Sequence, residues 1–484
     1  MPLDRFNPWG PHMLDGAPAN HRQLTAAERR SLLVLDTEVV EHLRTVNALA
    51  GKGNDMTDFD LAESAQPREV SAVKKIISAK PTTEEWIRLL AELHHLQNRL
   101  SAIPRPLFSD KDIIDGRKGT MQALQMQFLT AKLKAFEEFY RRNLGEQISP
   151  EQYIKDTMGK EPLLVGENRI KIQTDRISRR LQAVGFEHTA ESVGAFREQQ
   201  MVDPELAPQI LKAHGDKLLK KLSGFVGRKI EPKYTAGFDP EQPEIDAYWF
   251  NWSNGTRDDF RLTINKHPRH ASKFNLGKLE AMAVHEILGH FGQMYGWQQA
   301  IGDGELLDSL GVTSVFGPEQ PTCEGLAETL FYFVPDVYRE LSPEAKIELE
   351  LEGLRQMIYS NVHMAINTPG VDHMEIVRYV QDHLPSETET EIHHQIKERD
   401  LELNPVKGTY LSAYGTGFAI QQWAATAALN NEGRLRLLQI DMAQPTSPVQ
   451  KIKIVDALSH DPRYASPDAV SLEGFLNPSL QPAA

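Results

Sequence analysis

Val284-His285-Glu286-Ile287-Leu288-Gly289-His290 follows directly on an apolar-periodic run, Leu276, Leu279 and Ala283. Two imidazoles and a carboxylate fall within six residues. Imidazole is the commonest protein metal ligand, and a carboxylate beside the first imidazole sits where it could take a proton from metal-bound water. The usual helical form of this pattern sets its histidines four apart, on one face. Here they are five apart, which on a regular helix at about 100° per residue leaves them about 140° from each other. A helix with one residue looped out into a π-bulge could aim both at one ion. Gly289, directly before the second histidine, is the residue best able to tolerate that distortion. Two unrelated helix histidines would show the same spacing, so the rest of the chain has to decide.

Thr322-Cys323-Glu324-Gly325-Leu326-Ala327-Glu328 supplies the second half of the pattern. On a helix Glu324 and Glu328 face the same way. A catalytic zinc takes three protein ligands and leaves a fourth position for water, and two histidines with one glutamate are a recurrent set. Ligating imidazoles also need carboxylate partners that fix their tautomer. The expected metal ligands are therefore His285, His290 and Glu324, with Glu328 behind an imidazole. Alone, the two glutamates would read as an exposed acidic face.

The His-Glu-x-x-Gly-His hexapeptide, followed by a glutamate on a second helix, resembles the gluzincin metallopeptidases. The six-residue form is similar to that of dipeptidyl-peptidase III. Tubulin-tyrosine carboxypeptidases also pair a six-residue His-Glu-x-x-x-His with a downstream Glu-Gly-Leu-Ala. The longest resemblance is to a bacterial family of helical proteins of largely unknown function. Its pattern runs His-Glu-x-x-Pro-Gly-His, Glu-Gly-Trp-Ala, a histidine, an arginine and a tyrosine-glycine element. Gly289-His290 with Gln293, Glu324-Gly325, His363, Arg399 and Tyr414-Gly415-Thr416-Gly417 fall in that order within residues 245–425. The proline of that family's metal motif is missing here, so the motif is one residue shorter.

The resemblance implies a single zinc and an amide-bond hydrolysis with Glu286 as general base. It implies Tyr414 as first candidate for the second oxyanion donor and His363 as the next. Arg399 and Tyr410 are the candidate substrate-binding residues. Arg399 could pair with a carboxylate of a substrate or of the protein itself, and Tyr414 could equally be packing.

Composition narrows the function classes. The chain has 484 residues, 25% of them charged, and a net charge of −14. That balance argues against nucleic acid or an anionic membrane as the main partner. A single cysteine, Cys323, excludes an internal disulfide and fits a reducing compartment. Met1-Pro2-Leu3-Asp4-Arg5 does not lead into an apolar segment, and no run approaches eighteen apolar residues. A cytoplasmic location is expected.

The rest of the chain reads as helix after helix. Residues 1–23 form an irregular arm rich in Pro, Gly and Asn. Thr25-Ala26-Ala27-Glu28 is a capping box opening a helix to about Leu49, and Gly51–Asp55 breaks the pattern. Further helices are expected over Thr83–Ala102, Thr120–Leu144, Asn168–Val184 and Pro204–Phe225. His94-His95 is read as solvated or core rather than metal-binding. Composition shifts at Ile230-Glu231-Pro232. Tyr248-Trp249-Phe250-Asn251-Trp252, the turn Ser253-Asn254-Gly255 and the alternating Phe260-Arg261-Leu262-Thr263-Ile264 suggest a hairpin. By resemblance to gluzincins such an edge could hold extended substrate by β-augmentation; it could also be structural only. Gly302-Asp303-Gly304 and Gly311 to Pro321 read as loops at a cleft mouth. Ser342-Pro343-Glu344-Ala345 and Pro385-Ser386-Glu387-Thr388 start the helices leading to His363 and Arg399.

These readings give a mainly α, cleft-forming metallopeptidase fold with a small hairpin or sheet beside the zinc helix. Residues 1–230 form helical walls, 231–425 the catalytic region and 426–484 a closing segment. The expected function is zinc-dependent cleavage of peptide or related amide bonds, with one Zn2+ per chain and no nucleic-acid or membrane partner. Two alternatives stand beside it: a zinc hydrolase or lyase acting on a small metabolite, and a non-catalytic scaffold with a structural metal.

Overall fold

The computed structural model describes residues 23–50, 81–106, 109–115, 118–227, 229–238, 250–254, 260–265, 267, 270 and 273–478. Its first helices are α1 (Ala26–Ala50), α2 (Thr83–Ala102), α3 (Asp110–Asp115), α4 (Lys118–Asn143) and α5 (Pro150–Met158). Next come α6 (Glu167–Ala183), α7 (Ala190–Glu198) and α8 (Ala207–Val226). Strands β1 (Tyr234–Phe238), β2 (Phe250–Asn254) and β3 (Phe260–Ile264) precede α9 (Leu276–Met282). A π-helical stretch (Ala283–Phe291) continues α9 and leads into α10 (Gly292–Gly302). The remaining helices are α11 (Gln320–Phe333), α12 (Pro335–Glu340), α13 (Pro343–Ile366), α14 (His373–His383) and α15 (Glu389–Arg399). After them come α16 (Pro405–Trp423), α17 (Asn431–Ala443), α18 (Pro448–Ser459) and α19 (Leu472–Leu476). The fold is mainly α, as expected.

Helix starts follow their capping residues. Thr25 accepts from the Glu28 backbone N–H at 3.2 Å, and Glu28 accepts from the Thr25 backbone at 2.8 Å. Thr82 with Glu85 and Thr388 with Glu391 form the same reciprocal box, and Ser342 caps α13. Residues 1–22 of the expected arm, the break at Gly51–Asp55, and Tyr248, Trp249 and Gly255 of the expected hairpin lie outside the described residues.

The chain divides into two compact units, each assembled from three stretches. One comprises residues 1–161, 293–322 and 428–469; the other comprises 162–292, 323–427 and 470–484. The boundary expected near residue 230 falls inside the second unit. The one expected after 425 lies beside the crossing between Ala427 and Ala428. Packing between helices far apart in sequence, which no local composition shift reports, sets these units.

The first unit is a helical core around α4, whose Phe128, Leu129, Leu133 and Phe136 are fully buried. Leu35, Val39 and Val46 of α1 and Leu89 and Leu93 of α2 are buried in the same unit, spaced at helical period. Phe139 stacks on Phe316 at 4.7 Å between centroids. Lys132 and Glu319 form an ion pair with both side chains fully buried.

The second unit carries the histidine motif. Its sheet has the order β1-β3-β2, with β2 antiparallel and β1 parallel to β3. The expected hairpin partners are thus present, and β1 is an addition the sequence reading did not contain. Phe291, fully buried at the end of the π stretch, joins sheet to helix. Tyr234, Trp252 and Phe260, one from each strand, surround it at 5.0, 5.7 and 5.1 Å between centroids. Burying such a ring contributes about 2–3 kcal/mol. Helix α8 meets the π stretch at Gly215, where a Cβ would lie 2.3 Å from Ile287 Cδ1.

Candidate metal centre

The five-residue spacing of the histidines is met by a change of helix type. Hydrogen bonds running i→i+5 over Ala283–Phe291 widen the turn, so residues five apart return to one face. His285 Nε2 and His290 Nε2 lie 3.1 Å apart. The expected single bulge is here a nine-residue π stretch. Gly289 serves it by close approach: a Cβ there would meet the Cα of Ala327 at 2.5 Å. Its neighbour in that contact is α11, which carries Glu324 and Glu328. Gly289 has no positive φ, so proximity and not backbone freedom requires the glycine.

Glu324 Oε2 is 3.5 Å from His285 Nε2 and 3.4 Å from His290 Nε2. All three side chains are buried, and their donor atoms lie within 4.8 Å of one another. Sides of 3.1, 3.5 and 3.4 Å make a nearly equilateral triangle whose corners are about 1.9 Å from its centre. A metal ion with bonds of about 2.0–2.2 Å would sit just off that plane and touch all three donors. Glu324 Oε2 is buried with no hydrogen-bond partner among the described residues, as a ligand atom would be. The donor set and its spacing fit a metal ion.

The surroundings orient the donors. His285 Nδ1 faces Glu328 Oε1 at 3.4 Å, which keeps a proton on Nδ1 and leaves the Nε2 lone pair for an ion. Burial opposes charge on His285, but Glu328, Glu324 and Glu286 outweigh it and raise its pKa to about 10. Burial likewise opposes charge on Glu324, yet the imidazoles of His290 and His285 hold its carboxyl far below the usual range. Metal entry must therefore displace protons from the imidazoles.

Glu286 is buried beside the triangle and accepts a hydrogen bond from Trp252 Nε1 at 3.0 Å on Oε2. The aromatic run pointed to a strand, but nothing in it pointed to this partner. A buried indole N–H seeks an acceptor, and the strand–helix packing at Phe291 brings Glu286 to it.

Tyr410 and Tyr414, half-buried on α16, reach the centre from its other side. Tyr410 donates to Glu324 Oε1 at 2.6 Å, and its hydroxyl is 2.8 Å from that of Tyr414. Tyr410, expected to contact substrate, is hydrogen-bonded to the candidate ligand Glu324. Burial, then the Glu324 charge, pushes the Tyr414 hydroxyl well above its ordinary pKa, so it remains a donor.

His363 lies on α13 and Arg399 ends α15, both in the second unit. His363 is fully buried, and neither ring nitrogen has a hydrogen-bond partner among the described residues. Burial, with Arg399 nearby, drives its pKa to about 3, so it is neutral. Arg399 lies 4.1 Å over the Tyr359 ring and donates to Gln395. Among the described residues, no hydrogen bond or ion pair links either residue to His285, His290 or Glu324. His94 pairs with Glu137 at 3.6 Å on an exposed face, in line with its solvated reading.

No family model matches this sequence, and no curated protein matches it. Among solved structures the chain is similar to the putative lipoprotein from Colwellia psychrerythraea, at 12% identity and a TM-score of 0.49. That match covers 79% of this chain and 70% of the other. Among the described residues, no helix is long and apolar enough to cross a membrane.

Proposed function

We propose that this protein is a zinc-dependent hydrolase of the gluzincin type, cleaving peptide or related amide bonds. The observation that carries the reading is the triangle of His285, His290 and Glu324 donors with Glu286 held beside it by Trp252. Two imidazoles with one carboxylate are a recurrent ligand set for zinc, which supports that ion over one that prefers oxygen donors alone.

Zinc bound there would lower the pKa of its water to about 7 and polarise a substrate carbonyl. The protein's own groups supply the rest. Glu286, with Oε2 occupied by the Trp252 N–H, presents Oε1 as the proton acceptor and then returns the proton to the leaving amine. Tyr414 keeps a hydroxyl hydrogen available to a developing oxyanion if it turns from Tyr410. A purely structural metal site has no use for a buried carboxylate in the place of Glu286, which weighs against the scaffold reading.

Digestion of a mixed peptide library by zinc-loaded protein tests the proposal. Cleavage that disappears in Glu286→Gln, with zinc retained, supports it. An intact library after incubation with zinc-loaded wild type would count against peptides and leave small amides as substrates to assay.

A further inference from the structure

Tyr410 and Tyr414 stand one turn apart on a single face of α16, ring centroids 5.3 Å apart at 70°. A tyrosine hydroxyl has one hydrogen to give, and a ligating carboxylate has none. Tyr410 therefore gives its hydrogen to Glu324 Oε1, at 2.6 Å. In the 2.8 Å contact between the hydroxyls Tyr414 must then be the donor. The hydrogens run in one direction, from Tyr414 to Tyr410 to Oε1, while Oε2 of the same carboxylate faces both imidazoles.

A second contact fixes the distance over which this can happen. A Cβ on Gly325, the residue after Glu324, would lie 2.3 Å from the carbonyl carbon of Gly417. Gly417 is one turn past Tyr414. Helices α11 and α16 thus touch backbone to backbone beside the carboxylate, which puts a phenol hydroxyl within reach of it. Any larger residue at Gly325 would hold the hydroxyl away.

We propose that the two tyrosines form a clamp that makes Glu324 a one-oxygen ligand. A carboxylate left free beside an ion can turn and bind through both oxygens, filling the position that water or substrate needs. A short hydrogen bond to the charged acceptor is among the stronger kinds and keeps Oε1 turned away from the metal. Tyr410 and Tyr414 act here through Glu324, as positioning residues. This inference rests on the metal-binding part of the proposed function and needs nothing from hydrolysis.

The test titrates metal-free, full-length protein with Zn2+ against a chromophoric competitor and records the visible spectrum of the Co2+ form. Tyr410→Phe should weaken zinc binding by about 10–100-fold. Its Co2+ spectrum should lose intensity, as expected when a carboxylate swings in and raises the coordination number. Tyr414→Phe, which spares the bond to Glu324, should weaken binding by about three- to tenfold and leave the Co2+ spectrum unchanged. Wild-type affinity with an unchanged spectrum in Tyr410→Phe would overturn the clamp. If that variant does not fold, Tyr414→Phe decides: wild-type affinity there overturns it. Wild type that binds no zinc removes the centre and the clamp together, whereas zinc binding without peptide cleavage leaves the clamp standing.

Discussion

The indole nitrogen of Trp252 lies 3.0 Å from Oε2 of Glu286, joining strand β2 to the residue that follows the first histidine of the metal motif. The ring is buried, stacked on Phe291 at 22° between planes and set edge-on to Tyr234. A side chain stacked on one ring, set edge-on to another and held at its one polar atom has little freedom, so it fixes the carboxylate that it touches. Trp252→Phe keeps an aromatic ring against Phe291 and removes the N–H together with part of the indole. Hydrolysis should fall about tenfold or more in kcat, with KM and zinc content unchanged. Loss of zinc in this variant would give Trp252 a structural role in place of the positioning one.

Removing the metal should destabilise the protein measurably. Two imidazoles and a carboxylate are buried together, and an ion that binds only the folded state adds about 4 kcal/mol at a thousand times its Kd. A thermal scan after dialysis against chelator should show a transition several degrees lower, restored by one equivalent of Zn2+. Superimposable scans would mean that the folded chain has no preference for the ion.

The close approach at Gly289 makes an opposite pair of substitutions informative. Gly289→Ala places a methyl group 2.5 Å from the Ala327 Cα, backbone that cannot step aside. It should cost about 1–3 kcal/mol and weaken zinc binding. Gly194, exposed in the middle of α7, has nothing within 4 Å of its Cβ position. Gly194→Ala should raise stability by about 0.5–1 kcal/mol and leave the metal alone. Denaturant midpoints together with zinc titrations check both.

Asp36 gives a pH dependence whose sign is fixed by its surroundings. Burial lifts its pKa from 3.8 to about 6, although it accepts from the Asp308 and Ser309 backbone N–H groups at 2.7 and 2.9 Å. The folded pKa lies above the unfolded one, so the folded state takes up the proton first. The contribution of this group to stability therefore rises as pH falls from about 6 to about 4, by roughly 2–3 kcal/mol. Chemical denaturation of wild type and Asp36→Asn across that range should show wild type gaining relative to the variant. Parallel curves would return Asp36 to an ordinary carboxylate.

Much of the centre was legible because its parts are local. His285 and His290 lie on one short stretch, Glu324 and Glu328 on another, and helical spacing alone orients each pair. The width of the turn between the histidines was legible as a need for π geometry, but its nine-residue length depends on Phe291 and the sheet packed around it. The bond from Trp252 to Glu286 was hidden by a separation of 34 positions and a change from strand to helix. Tyr410 read as a substrate contact because nothing in a sequence reports that Gly325 and Gly417 bring two helices together. His363 and Arg399 entered through their order along the chain, which does not report distance. The burial of His363, and that of Arg399 against Tyr359, is set by how α13 and α15 pack.

Metal content with its dependence on three residues is the most direct measurement. Protein purified without chelator and analysed by mass spectrometry should carry about one zinc per chain. His285→Ala, His290→Ala and Glu324→Ala should each lose most of it while keeping the wild-type circular dichroism. Folded wild-type protein that takes up no divalent ion, or a triple variant that binds zinc as tightly as wild type, would contradict the account.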